Sequence, residues 1–204
     1  MLSSPIDRDE STRAAKRALR AHYRAVRSSV SPENKEIWDH VLCEAITSLP
    51  CFSSAKTLLA YYPIGDEPNL LDVVRQAFEK GITVAFPVCE PDTCTMDFRA
   101  VHSLDDLARG AYGICEPTED CPVLSDFDGA LCLVPALCFD THGFRIGYGK
   151  GYYDRFLTSH PVETVGATYH VLLADTLPCE PTDRSVSILI TERGILLPNE
   201  EYGK

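Results

Sequence analysis

The sequence predicts an α/β fold, a single-domain layered structure with a largely parallel sheet and helices on both faces. Strand-like and helix-like segments alternate along almost all of the 204 residues, which is typical of layered α/β proteins. The predicted strands are continuously apolar, as expected for strands that helices cover on both sides. The length suits one domain over residues 1–204 with a sizeable core, and residues 1–10 are expected to be disordered.

The first predicted helix covers residues 11–28 and has two contrasting faces. Its predicted buried face consists of Ala15, Ala18, Leu19, His22 and Val26. The other face is cationic and consists of Arg13, Lys16, Arg17, Arg20, Arg24 and Arg27, which with Arg8 make seven of the nineteen Lys and Arg residues. In a chain with a net charge of −11, this concentration indicates a local anion site rather than a nucleic-acid surface.

The other helices are predicted from caps and breakers. Ser31 caps the second helix, and Asn69 caps a third helix that Gly81 closes. Ser103 caps a short fourth helix, and the last predicted helix ends before Pro161. Apolar runs predict strands at 57–63, 82–89, 96–101, 130–135, 163–169 and 185–191. The last helix is predicted at 152–159, and long loops are predicted at 90–95 and 115–129.

Composition excludes several classes of protein. No apolar run approaches the roughly 18 residues of a membrane span, and the N-terminus lacks the apolar stretch of a secretory signal. The nine cysteines are odd in number and include no CxxC pair, so neither a zinc cluster nor a disulfide framework is expected. These features predict a cytoplasmic protein with reduced thiols, a monomer with no membrane or nucleic-acid partner.

A glycine-rich loop joins the strand at 130–135 to the helix at 152–159. Glycine permits positive φ and close backbone approach to a ligand, and a helix N-terminus attracts phosphate oxygens. The loop is not a Walker motif, because Gly151 follows Lys150, and Tyr152 replaces the third glycine of a dinucleotide fingerprint. Together with its cations, the loop predicts a phosphate cradle, and the alternative is an ordinary exposed turn from strand to helix.

The segment VPALCFDTHGFRIGYGKGYYDRFL closely resembles the signature of the 5-formyltetrahydrofolate cyclo-ligase family, also called methenyltetrahydrofolate synthetases. KRALR, YYPIGDEPNL, GICEPT and PTDRSVSILITERG are similar to further family motifs in the same order, so the resemblance spans roughly residues 16 to 193. The sequence departs from the pattern at Thr182, where many relatives have histidine, and no catalytic histidine is assigned.

The resemblance implies an ATP-dependent C–N ligase that uses Mg²⁺. ATP and 5-formyltetrahydrofolate give 5,10-methenyltetrahydrofolate, ADP and phosphate. The formyl oxygen attacks the γ-phosphoryl group, and the second folate nitrogen then displaces phosphate from the imidoyl phosphate. The folate supplies its own nucleophiles, so the protein has only to position the reactants and neutralise charge.

By the same resemblance, Lys16 and Arg20, one helical turn apart, reach the phosphates of ATP. Lys150 is expected to stabilise the transferring phosphoryl group, with Arg145 as a second catalytic cation. The nucleotide loop comprises Arg145, Ile146, Gly147, Tyr148, Gly149, Lys150, Gly151, Tyr152 and Tyr153. The remaining cations of the first helix, Arg13, Arg17, Arg24 and Arg27, are expected on a solvated face.

The resemblance also implies a metal pair and a folate pocket. Asp154 and Asp183 are expected to bind Mg²⁺, although Asp154 also suits the first turn of a helix. Glu67 is expected to accept N–H donors of the reduced pterin. The other expected folate contacts, for which ordinary packing is the alternative, are Tyr62, Met96 and Tyr152.

Two other functions remain open from the sequence. A small-molecule kinase could use the same phosphate cradle, but it needs a base that no residue uniquely supplies. A folate- or nucleotide-binding paralogue without turnover is the non-enzymatic alternative.

Overall fold

The computed structural model describes residues 5–110 and 113–198, and side chains from Glu10 onward. Helix α1 begins at Pro5, so the helix predicted at 11–28 starts earlier than expected. Disorder was expected for residues 1–10, but residues 5–10 are helical. Residues 1–4 lie outside the described residues.

The described chain alternates helices and strands as the apolar pattern predicted. The helices are α1 (Pro5–Ser28), α2 (Pro32–Thr47), α3 (Pro50–Ser54), α4 (Leu71–Glu79) and α5 (Tyr152–Ser159). The strands are β1 (Thr57–Leu59), β2 (Thr83–Glu90), β3 (Thr95–Val101), β4 (Leu107–Arg109), β5 (Cys115–Pro117), β6 (Ala130–Val134), β7 (Cys138–Asp140), β8 (Arg145–Ile146), β9 (Glu163–Ala167), β10 (Leu173–Ala174), β11 (Ile188–Thr191) and β12 (Gly194–Leu196).

A seven-stranded sheet with the order β12-β11-β9-β6-β1-β2-β3 forms the centre of the fold. The strands from β11 to β2 pair in parallel, with Leu58 of β1 opposite Val84 of β2 and Leu131 of β6. The edge strands β3 and β12 are antiparallel to their neighbours. The predicted α/β class with a largely parallel sheet is therefore confirmed.

Alternate residues of the parallel strands pack against helices on opposite faces of the sheet. Leu58 of β1 belongs to a core layer to which α2, α3 and α4 contribute Leu42, Phe52 and Val73. The neighbouring Leu59 belongs to a second layer, which contains Phe156 of α5. Because both faces are covered, the strands are apolar on both sides, and the predicted placement of helices on both faces is confirmed.

Several short elements differ from the prediction because two or three residues are too few for a periodic signal. The helix predicted after Ser103 is a single 3-10 turn that leads into β4, although Ser103 does form the expected cap. The expected loop at 115–129 begins with β5. Other elements that the sequence did not predict are α3, β7, β8, β10 and β12.

The face of α1 that packs against the protein is only partly the predicted one, because Leu19 and Val26 pack against the core as expected. Ala15, Ala18 and His22 are exposed, whereas Lys16 and Arg27 are buried. The apolar neighbours that accompany these cations are Leu19, Tyr23 and Val26. The solvated position expected for Arg27 was wrong, because ion pairs and hydrogen bonds compensate its buried charge.

The described residues contain no disulfide bond and no helix that could span a membrane. All nine cysteines have free thiols, and burial raises the pKa of Cys132 and Cys138 to about 12. No helix within residues 5–110 and 113–198 is long and apolar enough to cross a membrane.

Gly166 in β9 faces the ring of Phe139, and a Cβ there would lie 2.6 Å from two ring carbons. Phe139 is fully buried, so the ring has no free volume to move into. Gly166→Ala should therefore lower the free energy of unfolding by about 1–3 kcal/mol, measured by urea denaturation.

The double variant Gly166→Ala/Phe139→Leu provides the control, because leucine vacates the space that the new methyl group needs. We expect the effect of Gly166→Ala to shrink in the Phe139→Leu background. Additive losses would show that the Phe139 ring is not the obstacle.

Candidate active site

The candidate site lies at the point where the strand order of the sheet reverses direction. The chain passes from β1 to β2 on one side of β1, and β6 and β9 follow on the other side. In open α/β sheets, ligands bind outside the carboxyl ends of the strands at such a switch point. Glu67 lies in the segment after β1, and the glycine-rich loop lies in the segment after β6.

The glycine-rich loop begins with the β7–β8 hairpin and ends at the N-terminus of α5. Gly149 and Gly151 have φ values of 97° and 68°, which L side chains rarely adopt, so glycine is needed at both positions. Gly151 is the N-cap of α5, and no side chain caps this helix. The first-turn N–H groups of α5 are thus directed toward the loop without a capping acceptor, as in phosphate-binding helix termini.

Arg20 joins α1 to this loop, because its Nε donates a hydrogen bond to the Gly147 carbonyl oxygen at 2.9 Å. A Cβ at Gly149 would lie 3.2 Å from the Arg20 guanidinium carbon, so the two groups are in close contact. Lys150 is exposed on the same loop, and its side chain forms no hydrogen bond or ion pair with the described residues. The structure therefore brings together the basic helix and the glycine-rich loop.

Lys16, predicted to contact phosphate, lies in a closed ion-pair group. Its Nζ is 2.6 Å from both Glu180 Oε2 and Asp183 Oδ2, and the residue is only 6% exposed. Burial alone lowers the pKa of Lys16, but the hydrogen bonds and charges of Asp183 and Glu180 outweigh it, and the pKa is raised. Lys16 is thus fully charged and paired, and Glu180 is a member of the site that the sequence did not indicate.

Arg145 is tied to the protein rather than open to solvent. Its Nη1 donates to the Arg184 carbonyl oxygen at 2.6 Å, and its Nη2 donates to Asp154 Oδ1 at 2.8 Å. The backbone N–H of Arg184 donates to the same Asp154 oxygen at 3.1 Å. Asp154 therefore fixes the start of α5 against the segment that contains Asp183. The motifs around Asp154 and Asp183 did not indicate this contact.

The buried carboxyl of Glu67 lies opposite the loop and is only 2% exposed. Tyr148 donates its hydroxyl hydrogen to Glu67 Oε1 at 2.6 Å, and the backbone N–H of Ile64 donates to Oε2 at 2.9 Å. Burial raises the pKa of Glu67, and the Tyr148 and Ile64 hydrogen bonds with the charges of Arg27 and Lys35 oppose this rise.

Arg27, expected on the solvated face of α1, is instead 7% exposed. Its Nη2 donates to the Tyr148 hydroxyl oxygen at 3.0 Å, and its Nη1 lies 3.9 Å from Glu67 Oε1. The sequence held a signal for this, because Arg27 follows Arg20 by seven residues and so lies on the same helix face. A cavity of about 550 Å³ next to this group is lined by Arg24, Arg27, Ile64, Asp66 and Tyr148, among others.

The aromatic and thioether residues predicted for the folate pocket lie in several environments. Met96 is buried in β3, and Tyr62 is half-buried against the core. Tyr152 packs against the second core layer, with the Arg155 guanidinium 5.9 Å from its ring centroid. The Tyr153 hydroxyl is buried and has no hydrogen-bond partner among the described residues, a condition that often marks a ligand contact.

The two acids predicted to bind metal retain oxygens for a cation. Arg145 and Arg184 occupy one oxygen of Asp154, and Lys16 and the Glu180 N–H occupy one oxygen of Asp183. No group of three or more His, Cys, Asp or Glu side chains in the described ranges is placed to hold a metal alone. This donor set suits Mg²⁺, which commonly binds one or two carboxylates and takes its other ligands from phosphates and water.

Comparisons with known proteins give a family match, sequence relatives and similar solved structures. The family model described as the 5-formyltetrahydrofolate cyclo-ligase family matches residues 12–192. A 5-formyltetrahydrofolate cyclo-ligase of Mycolicibacterium smegmatis is 29% identical over 70% of this chain and 77% of its own. A probable 5-formyltetrahydrofolate cyclo-ligase of Caenorhabditis elegans is 26% identical over 87% of this chain and 92% of its own.

Solved structures agree with the fold. The NMR structure of Aquifex aeolicus 5,10-methenyltetrahydrofolate synthetase superimposes with a TM-score of 0.79 at 29% identity. That match covers 93% of this chain and 95% of the other. A Mycoplasma pneumoniae 5,10-methenyltetrahydrofolate synthetase matches with a TM-score of 0.69 at 23% identity, over 86% and 97% of the two chains, and supports the fold alone.

Proposed function

Because the chain belongs to the 5-formyltetrahydrofolate cyclo-ligase family, we propose that it catalyses the ATP- and Mg²⁺-dependent cyclisation of 5-formyltetrahydrofolate to 5,10-methenyltetrahydrofolate. The family predicted from the glycine-loop signature is confirmed, and with it the prediction that the chain is an enzyme of the ligase class. ATP, Mg²⁺ and the phosphorylated intermediate are parts of the proposal.

The observation that carries the proposal is the hydrogen bond from Arg20 to the Gly147 carbonyl oxygen. It joins the basic helix to the glycine-rich loop, so that fixed positive charge adjoins an uncapped helix N-terminus. Such an arrangement suits a triphosphate, because both the N–H groups and the cations stabilise phosphate oxygens. The proposed ATP site comprises this loop from Arg145 to Tyr153, together with Lys16 and Arg20.

In the proposed reaction, the formyl oxygen of the folate forms a bond to the γ-phosphorus, and ADP departs. The second folate nitrogen then attacks the formyl carbon, and the phosphate leaves with the former formyl oxygen. Exposed Lys150 is positioned by its loop to neutralise charge on the transferring phosphoryl group. In this proposal, Arg145 has a second role besides the predicted catalytic one. It positions the Asp154 carboxylate through a hydrogen bond.

Asp154 and Asp183 would hold the Mg²⁺, which neutralises phosphate charge when bound. Lys16 pairs with Asp183, so each charge offsets part of the cost of burying the other beside the proposed phosphate site. Glu67 would accept N–H groups of the reduced pterin. Its burial favours this use, because a carboxylate shielded from water forms stronger hydrogen bonds.

A monomer in the cytoplasm is the proposed working unit. Free thiols at all nine cysteines suit a reducing compartment.

The test is the ATP-dependent growth of the methenyl-folate absorbance when purified protein is mixed with 5-formyltetrahydrofolate, ATP and Mg²⁺. We expect the absorbance to rise only when ATP is present. Transfer of the γ-phosphoryl group to another acceptor, with formation of ADP and no methenyl product, would instead support the small-molecule kinase. Binding of folate or nucleotide with no product would support the paralogue without turnover.

A further inference from the structure

We propose that Arg27 is a positioning residue for the folate step, one that fixes the Glu67 carboxylate and the Tyr148 hydroxyl in place for the reduced pterin. The inference rests on the proposed function, in which Glu67 receives the pterin. It concerns a residue whose place in the sequence predicted only a solvated cation. Three segments of the chain meet at its guanidinium group.

The first support is the set of contacts that hold Arg27. Its Nη1 donates to the Ala136 carbonyl oxygen at 3.3 Å, in the segment between β6 and β7. Its Nη2 donates to the Tyr148 hydroxyl oxygen on the glycine-rich loop, and its ion pair is with Glu67, in the segment after β1. Arg27 therefore connects the carboxyl ends of two adjacent strands, β1 and β6, on either side of the switch point.

The second support is the charge around Glu67. The titratable groups that act on its carboxyl from the surrounding elements are Arg27 of α1, Lys35 of α2, Tyr61 after β1, Tyr148 of the loop and Tyr153 of α5. Lys35 also pairs with Asp39 at 2.6 Å, and its Nζ donates to the Glu67 backbone oxygen, so its charge is shared. Arg27 has its ion pair with the Glu67 carboxylate itself.

The third support is a difference in solvent exposure between the two partners of Glu67. Tyr148 is 43% exposed and lies between Gly147 and Gly149, so its ring can leave without disturbing the core. Arg27 is 7% exposed and anchored to a backbone carbonyl, so it stays in place. A pterin N–H can therefore take the place of the Tyr148 hydroxyl on Glu67 Oε1, while Arg27 continues to fix the carboxylate.

The experiment compares Arg27→Met, Arg27→Lys and the matched control Arg17→Met, each as the full chain. Arg17 lies on the same helix, is exposed, and contacts none of these groups. The apparent KM for 5-formyltetrahydrofolate and for ATP, and kcat, are measured between pH 5 and 9. Folate binding is also followed by quenching of the single tryptophan, and folding by thermal denaturation.

Arg27→Met should raise the folate KM by about ten- to a hundredfold, with a smaller change in kcat and none in the KM for ATP. Above its pKa, the Glu67 side chain is a carboxylate that accepts hydrogen bonds. Below its pKa, the carboxyl is protonated and no longer binds the pterin N–H groups in this way. Burial already raises that pKa, and loss of the Arg27 charge raises it further. The acid limb of folate binding should therefore move to higher pH in Arg27→Met, return toward wild type in Arg27→Lys, and stay unchanged in Arg17→Met.

Glu67→Gln separates a positioning role from a structural one. If Arg27 acts through Glu67, replacing Arg27 in the Glu67→Gln background should change the folate KM little. An equal effect in both backgrounds, or an unshifted acid limb in folded Arg27→Met, would overturn the inference. If Arg27→Met does not fold, the same comparison is made with Arg27→Gln, which also lacks the charge but keeps a polar group that can donate to the Ala136 carbonyl oxygen.

The two proposals fail in different ways. If wild type and Arg17→Met form no methenyl product, the proposed function fails whatever the Arg27 variants do. If both turn over and the Arg27 variants behave like them at every pH, the proposed function stands and the inference about Arg27 fails.

Discussion

Replacing Lys150 by methionine should lower kcat by about a hundred- to a thousandfold, the usual cost of removing one donor that stabilises developing charge. Lys150 is exposed, and its side chain forms no hydrogen bond or ion pair with the described residues. Its removal should therefore leave the thermal unfolding midpoint unchanged. Steady-state measurement of methenyl-folate formation, with melting followed by circular dichroism, tests both parts.

The matched control is Lys80→Met, which removes an exposed lysine that follows α4, outside the proposed site. We expect wild-type kcat from this control. Full turnover by Lys150→Met would show that the loop lysine does not take part in phosphoryl transfer. A higher KM for ATP with unchanged kcat would instead show that Lys150 contributes to the binding of ATP and not to the chemical step.

Replacing Asp154 by alanine should damage both folding and catalysis, because the structure gives this carboxylate two tasks. Arg145, with a side chain only 6% exposed, loses its acid partner, and the Arg184 N–H loses its acceptor. We expect a loss of about 2 kcal/mol in the free energy of unfolding, below the 3–5 kcal/mol of fully buried pairs because Asp154 is 25% exposed.

Asp154→Asn separates the two tasks. The asparagine oxygen still accepts the bonds from Arg145 and Arg184, so most of the stability should return. The lost charge should still raise the Mg²⁺ concentration needed for half-maximal activity, with exposed Glu79→Gln as the charge control. Wild-type Mg²⁺ dependence in Asp154→Asn would remove Asp154 from the metal site, and an unchanged stability of Asp154→Ala would deny the structural role.

The central sheet was predictable because each inner strand is an apolar run bounded by turn residues. The segments around β1 and β6 carry this signal strongly, and the site at their carboxyl ends follows from sheet geometry. The hairpin of β7 and β8 was not predictable, since two or three residues show no period. In this hairpin, Phe139 pairs with Arg145, and the sequence contains no periodic pattern that indicates this pairing.

The candidate site was predictable where one residue type serves a purpose that few others can. Positive φ at Gly149 and the acid at Glu67 after β1 are of this kind. Arg27 and Glu180 were missed because a charge that is paired in the folded protein looks like any surface charge in a linear pattern. Whether a cation is buried depends on its partners, and the partners of Arg27 lie 40 or more positions away in sequence, with Glu67 the nearest.

The central claim is that α1 and the glycine-rich loop bind the triphosphate of ATP together. Isothermal titration of ATP into Arg20→Met, with Arg17→Met as the control on the same helix, tests this most directly. The account predicts about tenfold or greater weakening for Arg20→Met, because a charged hydrogen-bond donor next to Gly147 is lost, and no change for Arg17→Met. Equal affinity of wild type and Arg20→Met for ATP would contradict it.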